Sequence, residues 1–195
     1  MSTGVADDAI FTFRKANAAD IPALAAMHRA SLFALGGRHY GPAALEGMLA
    51  DIPTADPALI ADRTYTICEC AGTIVASGGW TFRRPCYEDA TTDHGEAADA
   101  ARVAPTATIR AVFTHPGYAR RGLGRTIMEL VETEAAILGG AERLELCATL
   151  SGVPLYERLG YAKVAPVRLA LSNGATFDGW RMEKPALRET GRCAA

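Results

Sequence analysis

Apolar residues recur along this chain with two spacings, and the switch from one to the other predicts its elements. Phe11 to Lys15, Thr64 to Cys70 and Thr73 to Phe82 read as strands, the last two joined through Ala71-Gly72 as a hairpin. A helical period runs through Ile21, Leu24, Met27, Ser31 and Leu35 until Gly36-Gly37 stops it, with Asn17 and Asp20 as the capping pair. Pro42 opens a second helix carrying Leu45, Met48 and Leu49, and Asp56-Pro57 starts a short helical turn. Thr108 to Phe113 is β-branched and short. Gly122 to Leu138 repeats apolar residues at Leu123, Ile127, Leu130, Val131 and Leu138. Glu142 to Cys147 follows as a strand, Val153 to Leu159 as a short helix, and Ala162 to Leu171 pairs with Ala175 to Glu183 across Ser172-Asn173-Gly174. Residues 83–104 are polar, alanine-rich and acidic without a period, a surface excursion of a length that is usually functional or disordered. The order predicts one α/β domain over residues 1–195, with tails at 1–8 and 188–195. Its central sheet is mixed, mostly antiparallel, and flanked by helices on both faces.

The stretch from Thr108 into the long helix builds an anion site. His115-Pro116-Gly117 ends the strand, and Arg120, Arg121, Gly122 and Gly124 fall where the helix begins. The first amides of a helix lack carbonyl partners and carry the positive end of its dipole, and glycine lets a phosphate approach that backbone. A diphosphate suits such a loop. A nucleoside-triphosphate loop would need lysine and a hydroxyl residue after its glycines, but Arg125 and Thr126 follow Gly124. A dinucleotide fingerprint would need a third glycine where Ile127 stands, although Glu142 and Glu145 lie at the distance expected of a ribose-binding acid.

The third reading rests on a resemblance. Tyr118-Ala119-Arg120-Arg121-Gly122-Leu123-Gly124-Arg125 after a His-Pro turn resembles the cofactor loop of the GNAT superfamily of N-acetyltransferases. Ala148 to Tyr161 is similar to the family segment in which a tyrosine-bearing helix ends at Leu-Gly-Tyr, and Phe11 to Pro22 to its opening strand and first helix. Ala119 departs from the arginine or glutamine usual there, which removes a side chain but no amide. The resemblance implies acetyl-coenzyme A as co-substrate and a strand that splays from its neighbour near Phe113 and Thr114. It implies pantetheine along that strand and the diphosphate on Arg120, Arg121, Gly122, Leu123, Gly124 and Arg125, with the Thr126 hydroxyl as an added donor. Tyr156 stands where relatives place the acid that protonates the leaving thiolate. Many relatives draw a base from the glycine-loop strand. That strand offers Thr108, Arg110, Val112 and Thr114 on one face and Ala107, Ile109, Ala111 and Phe113 on the other, with no acid. Glu145 serves only if its face turns inward, and His39, His115, Glu69 and Asp89 remain unassigned.

Composition agrees with a cytoplasmic enzyme acting on a small molecule. A hydrophobic content of 49% supports a core, and a formal charge of -2 gives no general attraction to nucleic acid or anionic membrane. No segment is apolar and long enough to span a bilayer, and residues 1–8 do not resemble a signal peptide. Five cysteines without Cys-x-x-Cys spacing point to neither a disulfide framework nor a metal site, so no metal is expected. Cys147 lies near the expected cleft, where a packed thiol is favoured over a covalent acetyl carrier.

Acceptor recognition falls to Trp80, Arg83, Arg84, Tyr87 and Arg110, together with Arg38-His39-Tyr40. Their mixed cationic and aromatic chemistry suits a small amine that also bears a carboxylate or phosphate, against the plainer reading of solvated arginines. Two other functions stay open: a noncatalytic coenzyme A or nucleotide sensor, and an acetyltransferase of protein or peptide amines. A homodimer is compatible with the chain.

Overall fold

A computed structural model describes residues 9–83 and 104–186. Seven strands form one sheet in the order β1-β2-β3-β4-β5-β7-β6. These are β1 (Phe11–Lys15), β2 (Tyr65–Cys70), β3 (Thr73–Thr81), β4 (Thr106–Thr114), β5 (Arg143–Thr149), β6 (Ala162–Ala170) and β7 (Thr176–Pro185). Every neighbouring pair is antiparallel except β4 and β5, which run parallel. The expected mixed sheet is therefore present. The expected excursion lies almost wholly in residues 84–103, outside the described residues.

Helices cover both faces. On one side are α1 (Ile21–Gly36), α2 (Pro42–Asp51) and α3 (Pro57–Ala61); on the other are α4 (Leu123–Ile137) and α5 (Val153–Arg158). Asn17 forms the anticipated capping box with Asp20, but it caps a 3-10 turn, Ala18–Asp20, and α1 follows at Ile21. The buried stripe of α1 is Leu24, Met27, His28, Ser31 and Leu32, whereas Leu35, expected on that stripe, is exposed. A polar His28 replaced the apolar residue that the period would have required. On α4, Leu123, Ile127, Met128 and Val131 are buried, and Leu130 and Leu138 face outward.

One glycine brings α4 close to the sheet. A Cβ on Gly78 of β3 would lie 2.4 Å from Ile127 Cγ2, inside the contact limit of real side chains. The helix that starts at the glycine loop thus rests on bare backbone. Gly78→Ala is expected to lower unfolding free energy by about 1–3 kcal/mol, the usual cost of overpacking. A reduced urea midpoint at constant slope would report it, and Ile127→Leu, which removes the Cγ2 methyl, should recover part of the loss.

Candidate active site

The sheet comes apart between β4 and β5. Only Thr106 to Thr108 pair with Arg143 to Glu145; beyond them the strands diverge. A cavity of about 980 Å³ fills the opening. Its walls include Val112, Phe113 and Thr114 of β4, Cys147 and Thr149 of β5, Gly122 and Gly124 of the loop, Leu155 and Tyr156 of α5, and Arg38, His39 and Asp56 from the α1–α3 side. The opening therefore joins the two faces of the sheet, with the glycine loop on one side and the α1–α2 connection on the other.

A bulge directs β4 into this opening. Ser77 of β3 pairs with Phe113 and Gly79 with Arg110, so Ala111 and Val112 both oppose Gly78. Ala111 takes φ 55°, a left-handed conformation that a non-glycine residue adopts only under constraint. The extra residue reverses the alternation. Val112 joins the α4 side with Ala107 and Ile109, while Phe113 packs on the α1 side. The strict two-face division expected from the sequence holds only up to Arg110, because a bulge inserts one residue without a partner.

The loop before α4 has the form of an anion cradle. Arg120 and Gly122 both have positive φ, 66° and 84°, and Gly122 caps the helix with no side-chain bond. The first helical bond runs from Thr126 N to the Gly122 carbonyl at 3.0 Å, so the amides of Leu123, Gly124 and Arg125 have no acceptor within the helix. A Cβ on Gly124 would stand 3.3 Å from Leu155 Cδ2 and 3.5 Å from Thr114 Oγ1, so the bare backbone keeps this wall of the cavity open. Phe113, Thr114, Arg120, Gly122, Leu123, Gly124 and Arg125 all line the cavity. Arg121 and Thr126 do not. The Arg121 guanidinium lies over the Tyr118 ring at 5.5 Å, and the Thr126 hydroxyl turns back to the Gly122 carbonyl at 3.5 Å.

At the other end of the opening, Tyr156 is buried along the wall, and burial raises its phenol well above the ordinary range, so it stays protonated. Burial also pushes the Cys147 thiol up to about 12, which leaves it a poor nucleophile. Glu145 is buried where the strands part and accepts from Thr108 Oγ1 at 3.0 Å; it is not in the cavity wall. His115 and Glu69 line a separate recess near Asp20, and Asp89 lies outside the described residues. Of the base candidates among the described residues, His39 alone borders the cavity. Among the described residues no cluster of metal-ligating side chains occurs, and no helix is long and apolar enough to cross a membrane.

The family model for the GNAT acetyltransferases matches residues 37–161, more than half of the chain. The chain belongs to the GNAT family of acetyltransferases. Solved structures share its fold. A GCN5-related N-acetyltransferase from Rhodopseudomonas palustris superposes with TM-score 0.65 at 18% identity, over 89% of this chain and 94% of that one. The PaiA N-acetyltransferase of Thermoplasma acidophilum, solved with coenzyme A, gives 0.62 at 13% identity over 90% and 99%. The Drosophila melanogaster polyamine N-acetyltransferase, which forms N-acetylagmatine, gives 0.57 at 17% over 90% and 100%. No curated protein matches the chain by sequence.

Within this GNAT domain Arg38, His39 and Arg110 meet in the cavity wall, while Trp80, Arg83 and Tyr40, the other described acceptor candidates, stand outside it. Trp80 is buried in the core beside Met128 and Val131, its indole N–H donating to Glu134 at 3.3 Å, and it is not in the cavity wall. Arg83 is exposed and pairs with Asp62 at 2.8 Å, and Arg84 and Tyr87 lie outside the described residues. Arg110 does border the cavity, held at 3.0 Å by Asp56, which also caps α3 through Ala58 N. Tyr40 is a tie: its hydroxyl donates to the Asp178 carbonyl and accepts from Leu150 N, both at 2.7 Å. Sequence reasoning took Asp56 only as a helix start, since nothing local reveals a partner 54 positions away.

It also passed over His28. Buried on α1, this imidazole stacks on Phe113 at 4.2 Å and meets Ser77 Oγ at 2.9 Å, and burial lowers its pKa from 6.5 to about 3. The unfolded chain binds this proton below pH 6.5 and the folded one does not. Stability linked to His28 is thus present above pH 6.5 and falls towards pH 3 by up to about 1.4 kcal/mol per pH unit. Denaturant unfolding at pH 7, 5.5 and 4.5 should show a shallower acid loss in His28→Gln than in the native protein; parallel losses would exclude this linkage.

Proposed function

We propose that the protein transfers an acetyl group from acetyl-coenzyme A to the primary amine of a small molecule, by direct attack on the thioester. The observation that carries the reading is the opening between β4 and β5, which runs from an uncapped helix start to a buried tyrosine. Acetyl-coenzyme A supplies the activated acetyl carbonyl and a thiol leaving group. The amides of Leu123, Gly124 and Arg125, with the side chains of Arg120 and Arg125, would hold its diphosphate, and the backbone near Phe113 and Thr114 would face the acetyl oxygen. In the reaction a carbon–nitrogen bond forms and the carbon–sulfur bond breaks. Tyr156 gives its proton to the departing sulfur, and the amine loses one proton, for which His39 is the best-placed acceptor in the cavity wall.

Among the described residues the cavity wall carries Arg38, Arg110 and Arg158 beyond the two arginines assigned to the diphosphate, against the single carboxylate of Asp56, which pairs with Arg110. Such a field disfavours polycations and supports an acceptor that also bears a carboxylate or phosphate. The Drosophila enzyme's polyamine chemistry therefore transfers to this chain only as far as the amine. A coenzyme A sensor without catalysis is the second reading, favoured by the lack of a carboxylate among the cavity-facing residues of β4. The reading places the protein in the cytoplasm as a single catalytic domain. Acetylation of protein or peptide amines remains the third reading, and a homodimer is compatible with all three.

Thiol release over a panel of amines tests the reading, with calorimetric titration of coenzyme A as the binding control. Turnover of any amine excludes the sensor. Tyr156→Phe should lower kcat about 10²-fold while coenzyme A affinity holds; unchanged turnover would remove the acid role. Gly124→Val should weaken coenzyme A binding at least 10-fold, because its side chain would enter the wall between Leu155 and Thr114. Acidic amines should exceed neutral and polycationic ones in kcat/KM by about 10-fold, the worth of one charge-assisted bond. Equal rates would dismiss the arginines as acceptor ligands.

A further inference from the structure

The left-handed Ala111 is held by side chains that never reach the cavity. Its carbonyl accepts from Ser77 Oγ at 2.9 Å. A serine has one hydroxyl proton, and this bond uses it, so the 2.9 Å contact between Ser77 Oγ and His28 Nε2 must be donated by the imidazole. The ring therefore carries its proton on Nε2, and Nδ1, buried and without a hydrogen-bond partner, stays bare. The Tyr65 hydroxyl, 3.3 Å from the same nitrogen, sends its own proton towards the Thr54 carbonyl at 3.4 Å. Stacking of the ring on Phe113 fixes the next turn of the bulged strand. One imidazole thus grips the bulge twice, through its carbonyl by way of Ser77 and through the face of Phe113.

We infer that His28 and Ser77 are positioning residues for acetyl transfer, holding the β4 bulge in the one conformation that turns the backbone of Val112 to Thr114 into the cavity. The inference rests on the acetyltransferase reading above. A buried serine and a neutral histidine are poor choices for filling a core, and burying them without mutual bonds would be costly. Their bonds end on the carbonyl of Ala111, the left-handed residue of the bulge. Losing them frees Ala111 to return to an ordinary strand conformation, which turns the following amides and misplaces a donor whose effect on rate depends on sub-ångström aim. The diphosphate of coenzyme A is held at the glycine loop by other backbone groups, and free coenzyme A lacks the acetyl oxygen that the displaced donor serves, so its affinity should change little although its pantetheine would run along β4.

The experiment compares Ser77→Ala, Ser77→Cys, His28→Leu and His28→Gln with the native protein. It reads kcat on the best amine of the panel, calorimetric Kd for coenzyme A, thermal midpoint, and the backbone amide signal of Phe113. Ser77→Ala and His28→Leu should lose about 10- to 100-fold in kcat with Kd within about twofold, and the Phe113 amide signal should move. Ser77→Cys, a weak donor of similar size, should behave as Ser77→Ala does. His28→Gln, which keeps a donor for Ser77, should recover at least half of the lost activity on a logarithmic scale. Unchanged kcat in a folded Ser77→Ala protein would overturn the inference, as would kcat and affinity falling together. Should Ser77→Ala fail to fold, the two His28 variants decide the matter by the same criteria. A native protein that binds coenzyme A yet turns over no amine refutes the parent reading alone; the Phe113 amide, displaced by His28→Leu and restored by His28→Gln, then judges the positioning claim.

Discussion

A sheet that completes all its backbone hydrogen bonds has no amide to offer a substrate, and the whole arrangement here follows from breaking that rule in one place. Parallel pairing of β4 with β5 stops after Thr108 and Glu145. Beyond it, two strand ends and a helix start share one opening, each with main-chain groups that neither sheet nor helix satisfies. Unpaired backbone is expensive when buried, so it persists only where water or a ligand reaches it. The cavity is the structural answer to that demand, and the acetyl transfer proposed above would be its use.

Holding such an opening requires support on both faces. On the α4 side the absence of a side chain at Gly78 lets Ile127 settle against β3, which sets how close the glycine loop comes to the strand ends. On the α1 side polar atoms do the holding, through His28, Ser77 and Tyr65. Apolar packing separates a bulged from a regular strand through the faces that Val112 and Phe113 take. The directed bond to the Ala111 carbonyl adds a hold on the backbone itself.

Much of this was legible beforehand because it depends on local spacing. The helix start at Gly122 and Gly124, the tyrosine helix, the hairpin at Ala71-Gly72 and the mixed sheet each follow from residues within a few positions of one another. Features made by distant residues were not legible. The bulge at Ala111 has no local mark, since neither glycine nor proline stands there, and its cause lies in Ser77 and His28 on other elements. For the same reason Arg110 looked like a free anion ligand until Asp56 came beside it, and Trp80 looked accessible until α4 covered it. Position along a strand says little about what a side chain meets when the partner is contributed from 50 residues away.

The Tyr40 hydroxyl joins three segments that lie apart along the chain, the α1–α2 connection, β7 and the end of β5, by bonding Asp178 and Leu150 at once. The α1–α2 wall and the β5 wall of the cavity are therefore one mechanical piece. Any exchange of the α1–α2 connection meant to alter selectivity must carry a phenol at this position, or the wall bearing Cys147 and Thr149 will shift with it.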